Sequence, residues 1–456
     1  MADFDQYLDQ QRDKFEAELC DWLRIPSVST DGQHGAEIAQ ASQWIADQMT
    51  QLGLKTEIVD TGGNPIVLAE SPPVEGAPTV LVYGHYDVQP PEPLEEWLSP
   101  PFEPTRRDGN LYARGATDDK GQALTHVKSC EAWMKTRGAL PVQLKFLFEG
   151  EEEVGSEALY RFIESNPERL ACDVAVISDC SQFGPDQPAI TYGLKGIAYF
   201  ELRLTGPKQD LHSGTFGGAV TNPANALTRI MSQLIDEQGR IQIPGFYDDV
   251  ISLTELEREQ FASLSFDETK FMDRLEVNGL TGEAGYSTLE RRWARPTLDI
   301  NGMWSGYQGE GAKTVLPARA GVKFSCRLVP NQDPAKIQAA LREKVESLCP
   351  PGIKAELIDM HSATGVLVPL DSPFIEAAAK AVELGFGKPP VFIREGGSIP
   401  VVTEFHEKLG IDTLLLGWGQ DDDNTHSPNE KFSLKDFHRG IKASAHLWEE
   451  LSKIKV

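Results

Sequence analysis

Thr79-Val-Leu-Val-Tyr83, Val142-Gln-Leu-Lys-Phe-Leu-Phe148 and Val174-Ala-Val-Ile177 are the stretches on which the fold turns. Each is a short apolar run rich in β-branched and aromatic residues, which reads as a buried strand. Between them, Lys120 to Arg137 and Ser156 to Ile163 read as helices. Strands alternating with helices imply an α/β sheet, largely parallel and covered on both faces. Upstream, apolar residues recur at helical spacing from Phe4 to Leu23 and from Ile38 to Leu52, stopped by Pro26 and Gly53.

Downstream of about residue 193 the pattern changes. Ala198, Phe200, Leu202 and Leu204 alternate with Tyr199, Glu201 and Arg203, as in a half-exposed strand. A helix capped by Asn222 with Pro223 at its first position follows. Strands at Thr297–Asn301 and Val322–Val329, a helix from Pro334 and a strand at Ile353–Ile358 complete a β-α-β-β-α-β order, that of a ferredoxin-like split βαβ unit. From about 370 the first texture resumes, with a helix at 373–384, strands at Val391–Ile393 and Thr413–Leu416, and a final helix through Phe437 and Trp448. The chain is therefore expected to hold one domain in two parts, 1–192 and 369–456, interrupted by an inserted domain, 193–368. The stretch from about 239 to 296 carries no interpretable motif.

Composition narrows the function. The 456 residues are 40% apolar, enough for a packed core, and carry 43 Lys and Arg against 69 Asp and Glu, a formal charge of −26. Such an acidic chain is not expected to bind nucleic acid, which requires cations against phosphates. No apolar run approaches the ~20 residues that cross a bilayer, and the first residues lack a signal-peptide core. Six scattered cysteines without a Cys-x-x-Cys pair read as thiols of a reducing compartment, so a cytoplasmic location is expected.

Polar residues gather just after the apolar strands: His85-Tyr-Asp87, Glu149-Gly-Glu-Glu-Glu153 and Asp179, with Arg114-Gly-Ala-Thr-Asp-Asp-Lys-Gly121 before the Lys120 helix. The crevice beyond the carboxyl ends of the strands is where open α/β sheets bind ligands. A histidine among several carboxylates there calls for a cation, and imidazole with carboxylate but no thiolate suits Zn²⁺ or Mn²⁺. His426, in Asp423-Asn-Thr-His-Ser-Pro-Asn-Glu430 after the late strand, can join the same crevice. Either member of the pair Asp118-Asp119 could serve as ligand.

Gly84-His85-Tyr-Asp87-Val-Gln-Pro90, Gly115-Ala-Thr-Asp118-Asp-Lys-Gly121, Glu152-Glu153-Val-Gly-Ser156 and His426-Ser-Pro-Asn-Glu-Lys431 resemble the signature blocks of the M20 family of di-metal aminoacylases and peptidases. Asp210-Leu-His-Ser-Gly-Thr-Phe-Gly-Gly218, Ser305-Gly-Tyr-Gln-Gly-Glu-Gly-Ala-Lys-Thr-Val315 and Arg394-Glu-Gly-Gly-Ser-Ile-Pro400 are similar to its carnosinase and Cys-Gly dipeptidase branch. The resemblance implies a zinc-peptidase-like α/β fold, mainly parallel and flanked by helices, with an inserted ferredoxin-like α+β lid and dimerisation domain. It also implies two divalent metal ions per subunit, Zn²⁺ first, with Mn²⁺ or Co²⁺ as alternatives. Asp118 would bridge them, His85 and Asp179 would complete one site, and Glu153 and His426 the other. Glu152 would be the general base for a metal-bridged water, and Asp87 would orient His85.

For the substrate, Arg327 on the polar face of its strand and Gly397 and Ser398, in Gly396-Gly397-Ser398 at a helix entry, would receive a carboxylate. His212 would donate to the oxyanion, from the partner subunit of a homodimer joined through the inserted domain, and His361 is a further substrate-contact candidate. The implied activity is hydrolysis of dipeptides or short peptides with a free C-terminal carboxylate. An N-acyl-amino-acid or carbamoyl-amino-acid amidohydrolase would use the same metals and base. The chain could also be a non-catalytic metal- or peptide-binding protein, against which Glu152 and all five ligand candidates count.

Overall fold

In the computed structural model, which describes residues 3–397 and 399–455, strand Thr79–His85 lies at the centre of the large sheet. It pairs in parallel with Gln143–Glu149 on one side and with Val174–Ile177 on the other. Thr413–Leu415 adds a fourth parallel strand beside Val174–Ile177. The flanks are antiparallel: Ile66–Glu70 against Gln143–Glu149, Lys55–Val59 against Ile66–Glu70, and Ala189–Leu194 against Thr413–Leu415. The parallel centre is buried on both faces, so its strands read as continuous apolar runs.

Helix Lys120–Arg137 is buried from Lys120 to Trp133. It packs against the final helix Leu434–Leu451, with Trp133 Nε1 donating to Ala445 O at 2.8 Å and Trp448 Nε1 to Ser129 Oγ at 2.8 Å. It stops at Gly138, in the left-handed conformation of a helix C-terminus. Its first turn closes tightly on the central strand. A Cβ on Gly84 would stand 2.8 Å from Ala123 Cβ and 2.9 Å from an oxygen of Asp119, so only glycine lets the helix entry approach His85.

The chain divides into two units, residues 1–192 with 368–393 and 404–456, and residues 193–367 with 394–403. In the second unit, strands Thr297–Ser305, Arg319–Leu328, Gly196–Thr205 and Lys354–Ala363 lie side by side in that order, all antiparallel. Numbered along the chain, the sheet reads 4-1-3-2, the split βαβ arrangement. Helices Pro223–Met231 and Pro334–Leu348, entered through Asn222 and Asp333 caps, cover one face. Phe200, Leu202, Phe324, Leu227, Ile230 and Leu341 form the core between them.

The stretch 239–296, unreadable by apolar pattern, holds helices Glu255–Ser263, Glu268–Leu275 and Thr288–Trp293. Capping boxes Thr254/Glu257 and Ser287/Glu290 start two of them. Residues 394–403, expected with the last segment of the chain, group with this unit instead. The ion pair of Arg394 with Glu257 and the bond from Thr403 Oγ1 to Thr364 O at 3.0 Å hold them there.

Candidate metal centre

The candidate ligands emerge where the parallel strands end. His85 is the last residue of the central strand, Glu152 and Glu153 open a short 3-10 turn after Gln143–Glu149, and Asp179 follows Val174–Ile177. Asp118 lies in the loop before helix Lys120–Arg137, and His426 in the irregular segment after Thr413–Leu415. All belong to the first unit.

These side chains form two groups, His85 with Asp118 and Asp179, and Asp118 with Glu153 and His426. In each group one ligand atom per residue lies within 4.8 Å of the others. Asp118 is common to both. Its Oδ1 is 3.0 Å from His85 Nε2 and its Oδ2 is 2.9 Å from His426 Nε2, the disposition of a bridging carboxylate. His426 Nε2 is also 3.3 Å from Glu153 Oε2. Asp119 belongs to neither group; one of its oxygens accepts the His85 backbone N–H at 3.2 Å. Glu152 is in neither group, although its neighbour is a member.

The surroundings orient these groups. His85 Nδ1 lies 3.1 Å from the carbonyl oxygen of Asp87 and 3.4 Å from its Oδ1. A proton on Nδ1 satisfies both and leaves Nε2 as a lone-pair donor toward Asp118 and Asp179, the tautomer a metal ligand needs. Ser29 Oγ donates to Asp87 at 2.7 Å, and Gln89 Nε2 to Glu153 at 2.7 Å.

Electrostatics fit a cation. Burial first, and then the charge of Asp118, push Asp179 up to about 7. Burial also drives Glu152 well above the usual carboxylate range; His85 opposes this, while Asp179 and Glu153 add to it. Hydrogen bonds to Asp118 and Glu153 push His426 up to about 10. Asp118 is lowered in spite of its burial because two imidazoles bond it. Four carboxylates thus crowd two imidazoles, and divalent cations would relieve that repulsion. With oxygen and nitrogen donors and no thiolate, the residues suit Zn²⁺, Mn²⁺ or Co²⁺.

The remaining candidates lie in the second unit. Arg327 pairs across the sheet with Ile197, and His361 with Tyr199, so all four share the face away from the helices. The His361 ring stacks on Tyr199 with centroids 5.2 Å apart. Burial and the Arg327 charge lower the pKa of His361. Tyr199, read from sequence only as an outward-facing strand residue, is part of this group. His212 is exposed, and its Nδ1 accepts the backbone N–H groups of Gly214 and Thr215 at 3.1 and 3.2 Å. The helix expected to open at Gly396-Gly397 begins at Pro400 instead, where proline's fixed φ and missing N–H suit a first turn. Gly397 is therefore not a helix entry, and Ser398 lies outside the described residues.

Two acids that sequence reading passed over support the metal loops. Glu430 accepts from the 114–118 loop and Asp423 from Thr117. Burial pushes Glu430 up to about 7, against the pull of Arg114.

A parallel-centred sheet with two carboxylate–imidazole groups sharing an aspartate at its strand ends defines the class, a metal-dependent hydrolase. The profile described as peptidase family M20/M25/M40 matches residues 81–450, and the chain belongs to that family. Within it the chain falls in the carnosinase and Cys-Gly dipeptidase branch. It is 35% identical to the Cys-Gly metallodipeptidase dug1 of Schizosaccharomyces pombe, over 98% of each chain. It is 33% identical to the Beta-Ala-His dipeptidase of Homo sapiens, over 98% of this chain and 92% of that one. The solved structure of the M20 family metallo-carboxypeptidase Sso-CP2 from Sulfolobus solfataricus matches with a TM-score of 0.87 at 33% identity, covering 96% of this chain and 99% of that one.

Proposed function

We propose that this protein is a dipeptidase that hydrolyses dipeptides or short peptides bearing a free C-terminal carboxylate, with Glu152 as general base. The observation that carries this reading is the division of labour at the centre. Five side chains form two ligand groups around one shared aspartate, and Glu152 stands beside Glu153 without belonging to either group. When bound, a pair of divalent cations supplies Lewis acidity, polarising the peptide carbonyl and acidifying water. The Glu152 carboxylate takes the proton of the attacking water and passes it to the leaving amine nitrogen as the C–N bond breaks. Asp87 holds His85 in the tautomer that ligates. Arg327 receives the C-terminal carboxylate, with His361 and the 396–398 segment as further substrate contacts, and His212 donates to the oxyanion. The names of relatives as Cys-Gly and Beta-Ala-His dipeptidases support substrates of two residues.

Zn²⁺ is the first choice of metal. Six free cysteines support a reducing, cytoplasmic setting. A homodimer is proposed through the second unit, whose edge strand Thr297–Ser305 pairs on one side only among the described residues and exposes Ile300, Met303 and Trp304.

A panel of dipeptides and N-acyl- and N-carbamoyl-amino acids tests the reading. The protein is stripped with chelator and reconstituted with Zn²⁺, Mn²⁺ or Co²⁺. Activity should vanish on stripping, return with metal and favour dipeptides. Preference for the acylated amino acids would make the protein a deacylase. Full activity in a preparation shown by elemental analysis to be metal-free would sink the mechanism.

A further inference from the structure

Asp118 and His426 both come from irregular segments, with no strand ladder or helix to place them, yet their side chains meet at 2.9 Å. Something else must fix that separation. We propose that Glu430 is a positioning residue of the metal centre, whose carboxylate clamps the loop bearing Asp118 to the segment bearing His426. This rests on the metal-centre reading above and assigns the side chain that sets its geometry.

The hydrogen bonds are specific. Glu430 Oε1 accepts the backbone N–H of Thr117 at 3.0 Å and of Asp118 itself at 3.2 Å. Its Oε2 accepts Arg114 Nη1 at 2.7 Å and the N–H of Gly115 at 2.9 Å. An ionised carboxylate offers about four lone-pair sites, and here each has a donor. Neutralising the buried Arg114 would occupy one oxygen only. The other bonds go to three backbone N–H groups of the loop, those of Gly115, Thr117 and Asp118, ending on the residue shared by both ligand groups.

The other end of the segment is fastened to the same loop. Asp423 accepts Thr117 Oγ1 at 3.0 Å, and Lys431 N–H returns to Asp423 O at 3.0 Å, closing residues 423–431 into a ring. His426 sits at its tip in a left-handed conformation, φ +60°. The antiparallel pairing of Lys431–Ser433 with Asn110–Tyr112 brings the segments together, and Glu430 then sets the distance. The loop has little freedom to adjust. A Cβ on Gly121 would stand 1.9 Å from Ala116 O, so the chain there is folded hard on itself.

The proposal separates from a merely structural role through metal affinity. Glu430→Gln keeps the size of the side chain but leaves one acceptor oxygen where there were two, and turns an NH₂ toward N–H donors. Affinity for Zn²⁺, measured by competition with a chromophoric chelator on folded protein well below its Tm, should fall roughly 10- to 100-fold, as when partners that orient ligands are lost. Activity should return in part when Zn²⁺ is raised. Glu283→Gln is the matched control, breaking the buried two-bond pair with Arg295 in the second unit. It should lower Tm and leave Zn²⁺ affinity unchanged. Zn²⁺ affinity of Glu430→Gln within twofold of wild type would overturn the proposal. If that variant does not fold, Glu430→Asp, which keeps the charge one methylene shorter, should show the same loss, and wild-type affinity there overturns it equally. A wild-type protein that binds no Zn²⁺ in this titration would instead refute the metal centre, and the clamp with it.

Discussion

The carboxylate of Asp87 accepts the backbone N–H of Glu152 at 3.3 Å. The same carboxylate accepts the Glu153 N–H at 3.2 Å and lies 3.4 Å from His85 Nδ1. One fully buried acid thereby joins the end of the central strand to the turn that carries the proposed base and its ligating neighbour. Orientation of an imidazole and placement of a general base are usually separate tasks. Here a single side chain couples them.

Asp87→Asn should therefore cost more than the loss of one contact to His85. The amide would turn its NH₂ either toward the Glu152 N–H and the Nδ1 proton of His85, which both face Oδ1, or toward the Glu153 N–H, which faces Oδ2. Each arrangement leaves a buried donor unpaired, at about 1–3 kcal/mol. Metal affinity is expected to fall by roughly 10- to 100-fold, with a lower kcat persisting at saturating metal. Chelator competition and steady-state kinetics on the same preparation check this. Full kcat at saturating metal would confine Asp87 to His85 alone.

Glu152→Gln should retain the metals and lose turnover. Glu152 stands in neither ligand group, so the amide removes a proton acceptor without removing a ligand. Loss of general base catalysis is worth about 10²–10⁴-fold in kcat. Elemental analysis beside a single-turnover assay distinguishes the roles. Metal lost in proportion to activity would make Glu152 a ligand.

The parts of this architecture that sequence discloses are those with a repeating physical cause. Thr79–Tyr83 and Val174–Ile177 stand out because both faces of a parallel centre are apolar. The split βαβ unit stands out because Ala198, Phe200, Leu202 and Leu204 alternate against exposed neighbours. Lys55–Val59 escapes notice because an edge strand exposed on both faces carries no such pattern. Helices Glu255–Ser263 and Glu268–Leu275 bury only Phe261 between them, and the capping boxes at Thr254 and Ser287 mark two of the three helices within 239–296 where no apolar period does. At the site, His85, Glu153 and Asp179 can be named because they follow apolar strands. Glu430 cannot, since its partners are mainly backbone N–H groups, and these leave no mark on residue type. Tyr199 was hidden for a related reason. Its partner His361 is remote in sequence, and the two meet only through strand register.

Substrates should need a free C-terminal carboxylate. Arg327 is a half-buried cation whose pKa burial lowers while Asp299 opposes the shift, so a desolvated anion beside it gains more than one in open water. Charge-assisted hydrogen bonds of this kind contribute about 1.5–3 kcal/mol, or roughly 10- to 100-fold in kcat/KM. Amidating the C-terminus of a cleaved dipeptide should cost about that factor. Arg327→Met should cost it for the free dipeptide and little more for the amide. Equal kcat/KM for dipeptide and amide in the wild type would remove the anchoring role.

The His212 ring is oriented by its own turn. Its Nδ1 accepts two backbone N–H groups, from Gly214 and Thr215, so the neutral ring carries its proton on Nε2. That nitrogen is left as an outward donor on an exposed side chain. A pre-oriented N–H donor is what an oxyanion requires, and losing one costs about 10²–10³ in kcat. If the donor acts in the partner subunit of the proposed dimer, two crippled proteins should repair each other. His212→Ala subunits keep Glu152 but offer no donor, whereas Glu152→Gln subunits keep the donor but lack the base. A mixed dimer then holds one centre with both wild-type groups and one with neither, and should regain up to about half the wild-type rate. The subunits are mixed, exchange is verified by mass-tagged chains, and dipeptide hydrolysis is followed over time. Recovery of activity in step with exchange places His212 across the interface. Complete exchange without recovery would put its action within its own subunit or outside the reaction.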